Sequence, residues 1–277
     1  MSNLSAFNQF SRSLPAEGFT MPVLFIGHGS PMNGIEENEF SKTWTAMANS
    51  IPIPKAVLVV SAHWLTRGTH ITAMEHPRTI HDFGGFPDEL FKVQYPAPGD
   101  PQLAIDTVQM VKTVSVGLDH EWGLDHGTWT VVRHMFPDAN IPVLQLSIDY
   151  GKEARYHYEL AREISALRKK GVLIIGSGNM VHNLRMVAWD KLGEPEYGYD
   201  WALHINEEFK RLISAGTHDL LVNYSAMGKE ALLAIPTPDH YYPLLYILGL
   251  QQKSEPIAFF NDRAVGGSLT MTSVRIG

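Results

Sequence analysis

The sequence predicts an α/β fold: a single domain whose central, mostly parallel or mixed β-sheet is flanked by helices, with its active site at the carboxyl ends of the strands. Three observations carry this prediction. Continuous apolar runs closed by Gly, Ser or Ala read as strands buried on both faces. Helix-length stretches separate them, so the two element types alternate. No repeat, charge run or low-complexity linker divides the 277 residues, a length that one large domain can accommodate.

Taken in order, residues 1–20 are polar and Ser-rich and are expected to form a flexible N-terminal extension, leaving 21–277 as the catalytic domain. Met21–Gly27 is apolar throughout and ends at Gly, as a buried strand should. Glu39–Asn49 has helical length and pattern, and Lys55–Ala62 repeats the strand signature. His76–Pro101 breaks the regularity with Pro77, Gly84, Gly85, Pro87, Pro96, Pro98 and Gly99. A connection that long usually serves as a lid or binding loop. Helices are expected over Pro101–Val114, Thr128–Phe136 and Lys152–Lys170, the last closed by Gly171 as a C-cap. Ile141–Ile148 and Val172–Ser177 are two further buried strands. A weaker helix spans Trp201–Ala215 and a buried one Tyr241–Gly249, while Ser268–Ile276 alternates and suits a late antiparallel strand.

Composition removes several function classes. Acidic residues outnumber basic ones 29 to 22, for a net charge of −7, whereas a nucleic-acid binder needs a Lys/Arg excess. The longest apolar runs, Ala56–Val60 and Leu244–Leu248, are too short to cross a bilayer. The first residues lack the apolar core of a secretory signal. The protein is therefore expected to be cytoplasmic, without a membrane or nucleic-acid partner, and a monomer or homodimer. With no cysteine, thiolate zinc sites, Fe–S clusters and a Cys nucleophile are excluded. P-loop, dinucleotide-fingerprint, G-x-S-x-G and H-E-x-x-H patterns are all missing. Asp82-Phe83-Gly84 matches a kinase tripeptide by chance, since no Gly-rich or catalytic loop accompanies it.

Histidine, with 13 copies, is the remaining chemical resource. His28 directly follows the first strand, His63 ends the second, and His182 lies just beyond Val172–Ser177. Ligands of open α/β sheets bind outside the carboxyl ends of the strands, so these three imidazoles are delivered to one region. His240 sits in the stiff segment Pro236-Thr237-Pro238-Asp239-His240. By placement alone, each is as readable as a hydrogen-bonded structural residue as it is a ligand. Imidazole suits Zn, Fe, Cu or Ni, and three such ligands leave positions open for substrate. His126 opens a helix after Asp125, either as an exposed residue beside a cap or as a proton donor or partner for bound substrate. His81 belongs to the long loop.

Six motifs occur in a characteristic order: Gly27-His28-Gly29-Ser30-Pro31-Met32, Ser61-Ala62-His63-Trp64, His81-Asp82-Phe83-Gly84-Gly85-Phe86-Pro87, Asp125-His126-Gly127, Val181-His182-Asn183-Leu184 and Pro236–His240. Through them the chain, from about residue 21 onward, resembles the class III extradiol ring-cleavage dioxygenases, most closely the DOPA 4,5-dioxygenase branch. The resemblance implies an enzyme that opens the ring of a DOPA-like catechol with O2, giving a semialdehyde, at a mononuclear non-haem metal and without an organic cofactor. It implies His28 and His63 as metal ligands, with His240 in the third ligand place. His182 would be the acid/base or a further ligand, and His126 would act beside the metal as a second catalytic residue. His81, Trp64 and Trp129 are the expected substrate contacts. The wider family uses a carboxylate as third ligand. A histidine here leaves Fe2+ or Zn2+ as the ion, with Zn2+ expected in isolated protein and Asp239 as an alternative oxygen donor. A zinc hydrolase on the same histidines, or a non-catalytic relative, is the alternative reading.

Overall fold

The computed structural model describes residues 17–277, so residues 1–16 of the expected N-terminal extension lie outside the described residues. Of the remainder, Glu17 is tied down, its N–H donating to the Lys169 carbonyl at 2.7 Å. In chain order the elements are β1 (Val23–Gly27), α1 (Glu39–Asn49), β2 (Ala56–Thr66), β3 (Thr69–Thr72), α2 (Asp88–Phe91), α3 (Pro101–Met110) and β4 (Val116–Asp119). Then come α4 (His126–Met135), β5 (Val143–Asp149), α5 (Ala154–Glu163), β6 (Val172–Gly178), α6 (Asp200–Ser214), α7 (His218–Val222), α8 (Lys229–Ala234) and α9 (Tyr242–Leu250). The chain closes with β7 (Ile257–Phe260), β8 (Ala264–Val265), β9 (Leu269–Thr270) and β10 (Ser273–Ile276).

Eight strands form one mixed sheet in the order β4-β3-β5-β2-β6-β1-β10-β7. Its centre, β5-β2-β6-β1, is parallel throughout. Antiparallel β10 extends it beside β1, as the alternating C-terminal pattern predicts. The apolar runs behave as expected of strands covered on both sides. Val23 and Phe25 enter the core on one face, with α5, α6 and α9, while Leu24 and Ile26 enter the core on the other, with α1 and α4. Alternation along one strand thus feeds two cores. Truncating one of these side chains to Ala costs about 2–5 kcal/mol. α9 is apolar on all sides and all of its nine residues are buried, which suits a helix wedged between the sheet and α5.

Local signals account for the boundaries. Asn38 caps α1 by accepting from Phe40 N and Ser41 N, and Ser41 returns a bond to the cap. Asp125 caps α4, which begins two residues earlier than its apolar pattern indicates. The stretch Lys152–Lys170 is not one helix: α5 stops at Glu163, and a 3-10 turn over Ser165–Lys170 carries the chain to Gly171 at φ 82°. α3 ends at Met110 rather than Val114. The segment Ser268–Ile276 breaks into β9 and β10 because Met271 and Thr272 turn between two sheets. The edge strands β4 and β7, and β3 next to β4, are additional, each only four residues long. The His76–Pro101 loop is strapped to the body by main-chain bonds from Ile80 N to Leu124 O and from Leu124 N to Arg78 O.

Candidate metal centre

The carboxyl ends of β1, β2 and β6 meet at one point. β1 delivers His28 immediately after its last residue, and two glycines allow this. A side chain on Gly27 would strike the Met271 backbone at 2.6 Å, and Gly29 adopts φ +63°. β2 does not stop at Ala62. It runs on through His63 to Thr66, with its register against β5 slipping between Val60 and Leu65. His63 therefore sits at an irregularity inside the strand, which re-aims a side chain as bulges beside active sites do. His240 comes from the Pro-rich segment before α9. Its carbonyl accepts from Asn179 N at 2.9 Å, just past β6. A Cβ on Gly178 would lie 2.1 Å from that carbonyl oxygen, so β6 must end in glycine for His240 to approach.

His28, His63 and His240 each offer a ring nitrogen, and these atoms all lie within 4.8 Å of one another. His28 Nε2 and His63 Nε2 are 3.0 Å apart. The hydrogen bonds behind the rings decide which nitrogen is bare. Ser177 Oγ donates its single proton to the Gly127 carbonyl at 2.5 Å, so toward His28 Nδ1, 3.0 Å away, it can only accept. The proton of His28 therefore sits on Nδ1 and its Nε2 is a lone pair. Asp239 Oδ2 accepts from His240 Nδ1 in the same way, leaving Nε2 of that ring bare. Across the 3.0 Å edge His63 Nε2–H donates to the bare His28 Nε2; a cation would take the place of that proton, and Zn–N or similar bonds of about 2.0–2.1 Å span such an edge. The donor set fits a metal ion.

The electrostatics agree. Burial holds His28 and His63 well below the usual imidazole pKa, and the neighbouring rings add to the shift. Both are neutral, as ligands must be. Burial, with His240 beside it, lowers His182 to about 3. The His182 ring stacks on His240 at 3.6 Å with a 7° interplanar angle, and its nitrogens group with Asp239 and His240. The carboxyl of Asp239 is held far below the usual carboxylate range; its burial opposes this, and the His240 hydrogen bond outweighs burial.

His126 is buried, not exposed, and its ring lies 3.9 Å from that of His63. Asp82 of the long loop reaches both rings. Its Oδ1 accepts from His126 N at 2.9 Å, while Oδ2 lies 3.0 Å from His126 Nδ1 and 3.6 Å from His63 Nδ1. Burial would raise the Asp82 carboxyl, but the hydrogen bonds and charge of His126 bring it below its ordinary value. Beneath this layer Asp125 accepts from Ser61 Oγ at 2.7 Å and from Gln145 Nε2 at 2.6 Å. That buried clamp fixes the start of α4 against β2. Gly127 makes the approach possible, since a Cβ there would meet Ser61 Oγ at 2.5 Å and His63 Cδ2 at 2.9 Å.

The expected substrate contacts lie farther out. His81 Nε2 donates to the Val93 carbonyl at 2.9 Å, which folds the loop on itself. Trp129 is fully buried, with Nε1 donating to the Ile80 carbonyl at 2.8 Å and its ring against His81 and Phe83. Trp64 is buried and stacks on Trp122 at 5.8 Å. Phe83, which sequence reasoning did not single out, places its ring 5.6 Å from that of His126. Ser177, Asp82 and Asp125 were also missed as functional residues. Among them only Asp82 and Asp125 carry a sequence signal, as neighbours of the histidines in two of the ordered motifs.

Among the described residues no helix is long and apolar enough to cross a membrane. Residues 22–265 match the family of the catalytic LigB subunit of aromatic ring-opening dioxygenase. A 4,5-DOPA dioxygenase extradiol of Escherichia coli K12 is 48% identical over 93% of this chain and 95% of its own. The protein of the same name from Beta vulgaris is 33% identical over 91% and 95%. A crystal structure of an uncharacterized E. coli K12 protein superposes with a TM-score of 0.80 at 44% identity, covering 93% of this chain and all of the other. With a histidine-rich site at the carboxyl ends of the central strands and this agreement along almost its whole length, the chain belongs to the LigB family of class III extradiol dioxygenases and is an oxidoreductase of that kind.

Proposed function

We propose that this protein opens the ring of a DOPA-like catechol with O2, at an Fe(II) ion held by His28, His63 and His240. The carrying observation is the convergence of three imidazole nitrogens within 4.8 Å, with hydrogen bonds behind His28 and His240 that leave a bare Nε2 on each. When bound, the ion would supply a Lewis-acid seat for the two catechol oxygens and an electron route between the ring and O2. Zn(II) suits the same donors but does not change redox state, so it would occupy the site without supporting oxygenation.

The remaining chemistry falls to the protein. Chelation of a catechol requires a hydroxyl proton to leave, and His182, stacked on His240 at 3.6 Å, is the adjacent ring that would receive it. His126, its Nδ1–H turned to Asp82, would accept a proton or hydrogen bond at Nε2 beside the reacting ring. His81 and Phe83 would line the loop side of the pocket, with Trp129 supporting both from below and Trp64 stiffening the strand that bears His63. Three curated relatives named 4,5-DOPA dioxygenase, at 33–48% identity, support an amino-acid-bearing catechol.

The test is anaerobic loading with Fe(II), addition of a catechol panel including DOPA, and admission of O2. A yellow semialdehyde that forms only with O2 is expected. Product formation without O2 would instead identify a metal hydrolase. His28→Ala and His63→Ala should lose both metal and turnover, and stoichiometric metal in either variant would remove that residue from the ligand set.

A further inference from the structure

The carboxylate of Asp82 does more than anchor a loop. Its two oxygens take up the two N–H groups of one residue, His126 N on Oδ1 at 2.9 Å and His126 Nδ1 on Oδ2 at 3.0 Å. A carboxylate accepts and does not donate, so in the neutral ring the His126 proton is fixed on Nδ1 and Nε2 is left without one. The same Oδ2 lies 3.6 Å from His63 Nδ1. That is too long for a hydrogen bond, and His63 instead donates from Nε2 to the bare Nε2 of His28 at 3.0 Å, so the hold of Asp82 is on His126 alone. The loop cannot easily yield, because residues on either side of Asp82 are held. Trp129 Nε1 grips the Ile80 carbonyl at 2.8 Å, His81 Nε2 grips the Val93 carbonyl at 2.9 Å, and Phe83 packs on Trp129.

We infer that Asp82 is a positioning residue that sets the tautomer of His126, presenting a bare Nε2 of that ring toward substrate. This rests on the reading that the histidine cluster handles a catechol, but its first consequence is measurable without turnover. It assigns the proton-accepting atom at this wall of the site, His126 Nε2, to a nitrogen whose state depends on a loop 44 residues away in sequence.

The decisive measurement is the tautomeric state of His126 in 15N-labelled, metal-free wild-type protein, assigned by comparison with His126→Gln. Long-range 1H–15N correlations should show the proton on Nδ1; a proton on Nε2 in the wild type overturns the inference whatever any variant does. In Asp82→Asn the amide can accept at only one of its two positions. The Nδ1–H form should lose its dominance, and kcat should fall at least tenfold with KM within about threefold. Asp82→Glu, which keeps the charge, should recover part of the rate. A folded Asp82→Asn with unchanged tautomer and kcat would refute the role. If wild-type protein opens no catechol under O2, the proposed function fails, while the tautomer result still decides what Asp82 does.

Discussion

Replacing Ser177 with Ala tests the hydrogen-bond relay behind His28 most directly. The serine accepts from His28 Nδ1 at 3.0 Å and donates to the Gly127 carbonyl at 2.5 Å, and all three residues are buried. Ala leaves one donor, His28 Nδ1–H, without a partner, because the Gly127 carbonyl keeps its place in the helical ladder of α4. Such an orphan costs about 1–3 kcal/mol. With an unfolding entropy of about 0.6 kcal/mol/K for a chain of this size, the metal-free Ser177→Ala protein should melt about 2–5 °C lower. The second effect concerns the tautomer. Without an acceptor at Nδ1, His28 is free to carry its proton on Nε2, where it blocks coordination. Loss of such a partner typically weakens metal binding 10–100-fold, equivalent to about 1.4–2.7 kcal/mol. Anaerobic metal titration with a competing chelator reads the dissociation constant, and differential scanning calorimetry of the metal-free protein reads the stability. A dissociation constant within twofold of wild type, in a variant that shows the expected melting loss, would refute the relay while leaving the packing account intact.

Three other outcomes are expected. His182→Ala should retain its metal and lose about 10²–10⁴ in kcat; parallel loss of metal, read by elemental analysis, would make His182 a ligand. Gly178→Ala should yield protein unable to bind metal, since the new Cβ would meet the His240 carbonyl oxygen at 2.1 Å, whereas Gly84→Ala, with nothing within 4 Å, should be silent in the same titration. Burial lowers His157 to about 4, whereas unfolding returns it to an ordinary 6.5. Between those values the unfolded chain binds the extra proton, so stability is lost as pH falls from 6.5 toward 4. The full swing is about 3 kcal/mol. Denaturant midpoints of metal-free wild type and His157→Gln should converge across that window, and parallel curves would show that His157 does not titrate between the states.

What was legible in the sequence follows from what burial does to composition. β1, β2, β5 and β6 are covered on both faces, so they appear as unbroken apolar runs, and the four were located to within a few residues. The strands β4 and β7 are four-residue edge pieces whose side chains are partly exposed, and β3, beside β4, is as short though mostly buried. Thr-His-Ile-Thr and Val-Gly-Leu-Asp have no pattern that separates them from loop, because pairing with a neighbour and not their own periodicity makes them strands. The α5 boundary failed for a related reason. Helical periodicity persists through Ser165–Lys170, but 3-10 and α turns share it too closely to be told apart over six residues.

The site divides along the same physical line. The histidines were visible because strand ends are recognisable and imidazole stands out there, so His28, His63 and His182 could be assigned to one end of the sheet, while His240 joined them only through the ordered motifs. Their hydrogen-bond partners were not visible, since what matters for a ring nitrogen is an oxygen about 3 Å behind it, and chain distance carries no information about that. Ser177 lies 149 residues from His28 and Asp82 lies 44 from His126. Ser177 reads only as the last residue of a buried strand, and Asp82 only as a member of an ordered motif, with no role attached to it. On the proposed reading, these two oxygens set the ligand atom of His28 and the proton-accepting atom of His126. A histidine whose proton sits on the wrong nitrogen is not a ligand, however well its ring is placed. The sequence pattern therefore locates the imidazoles, and the fold determines which of their nitrogens can act.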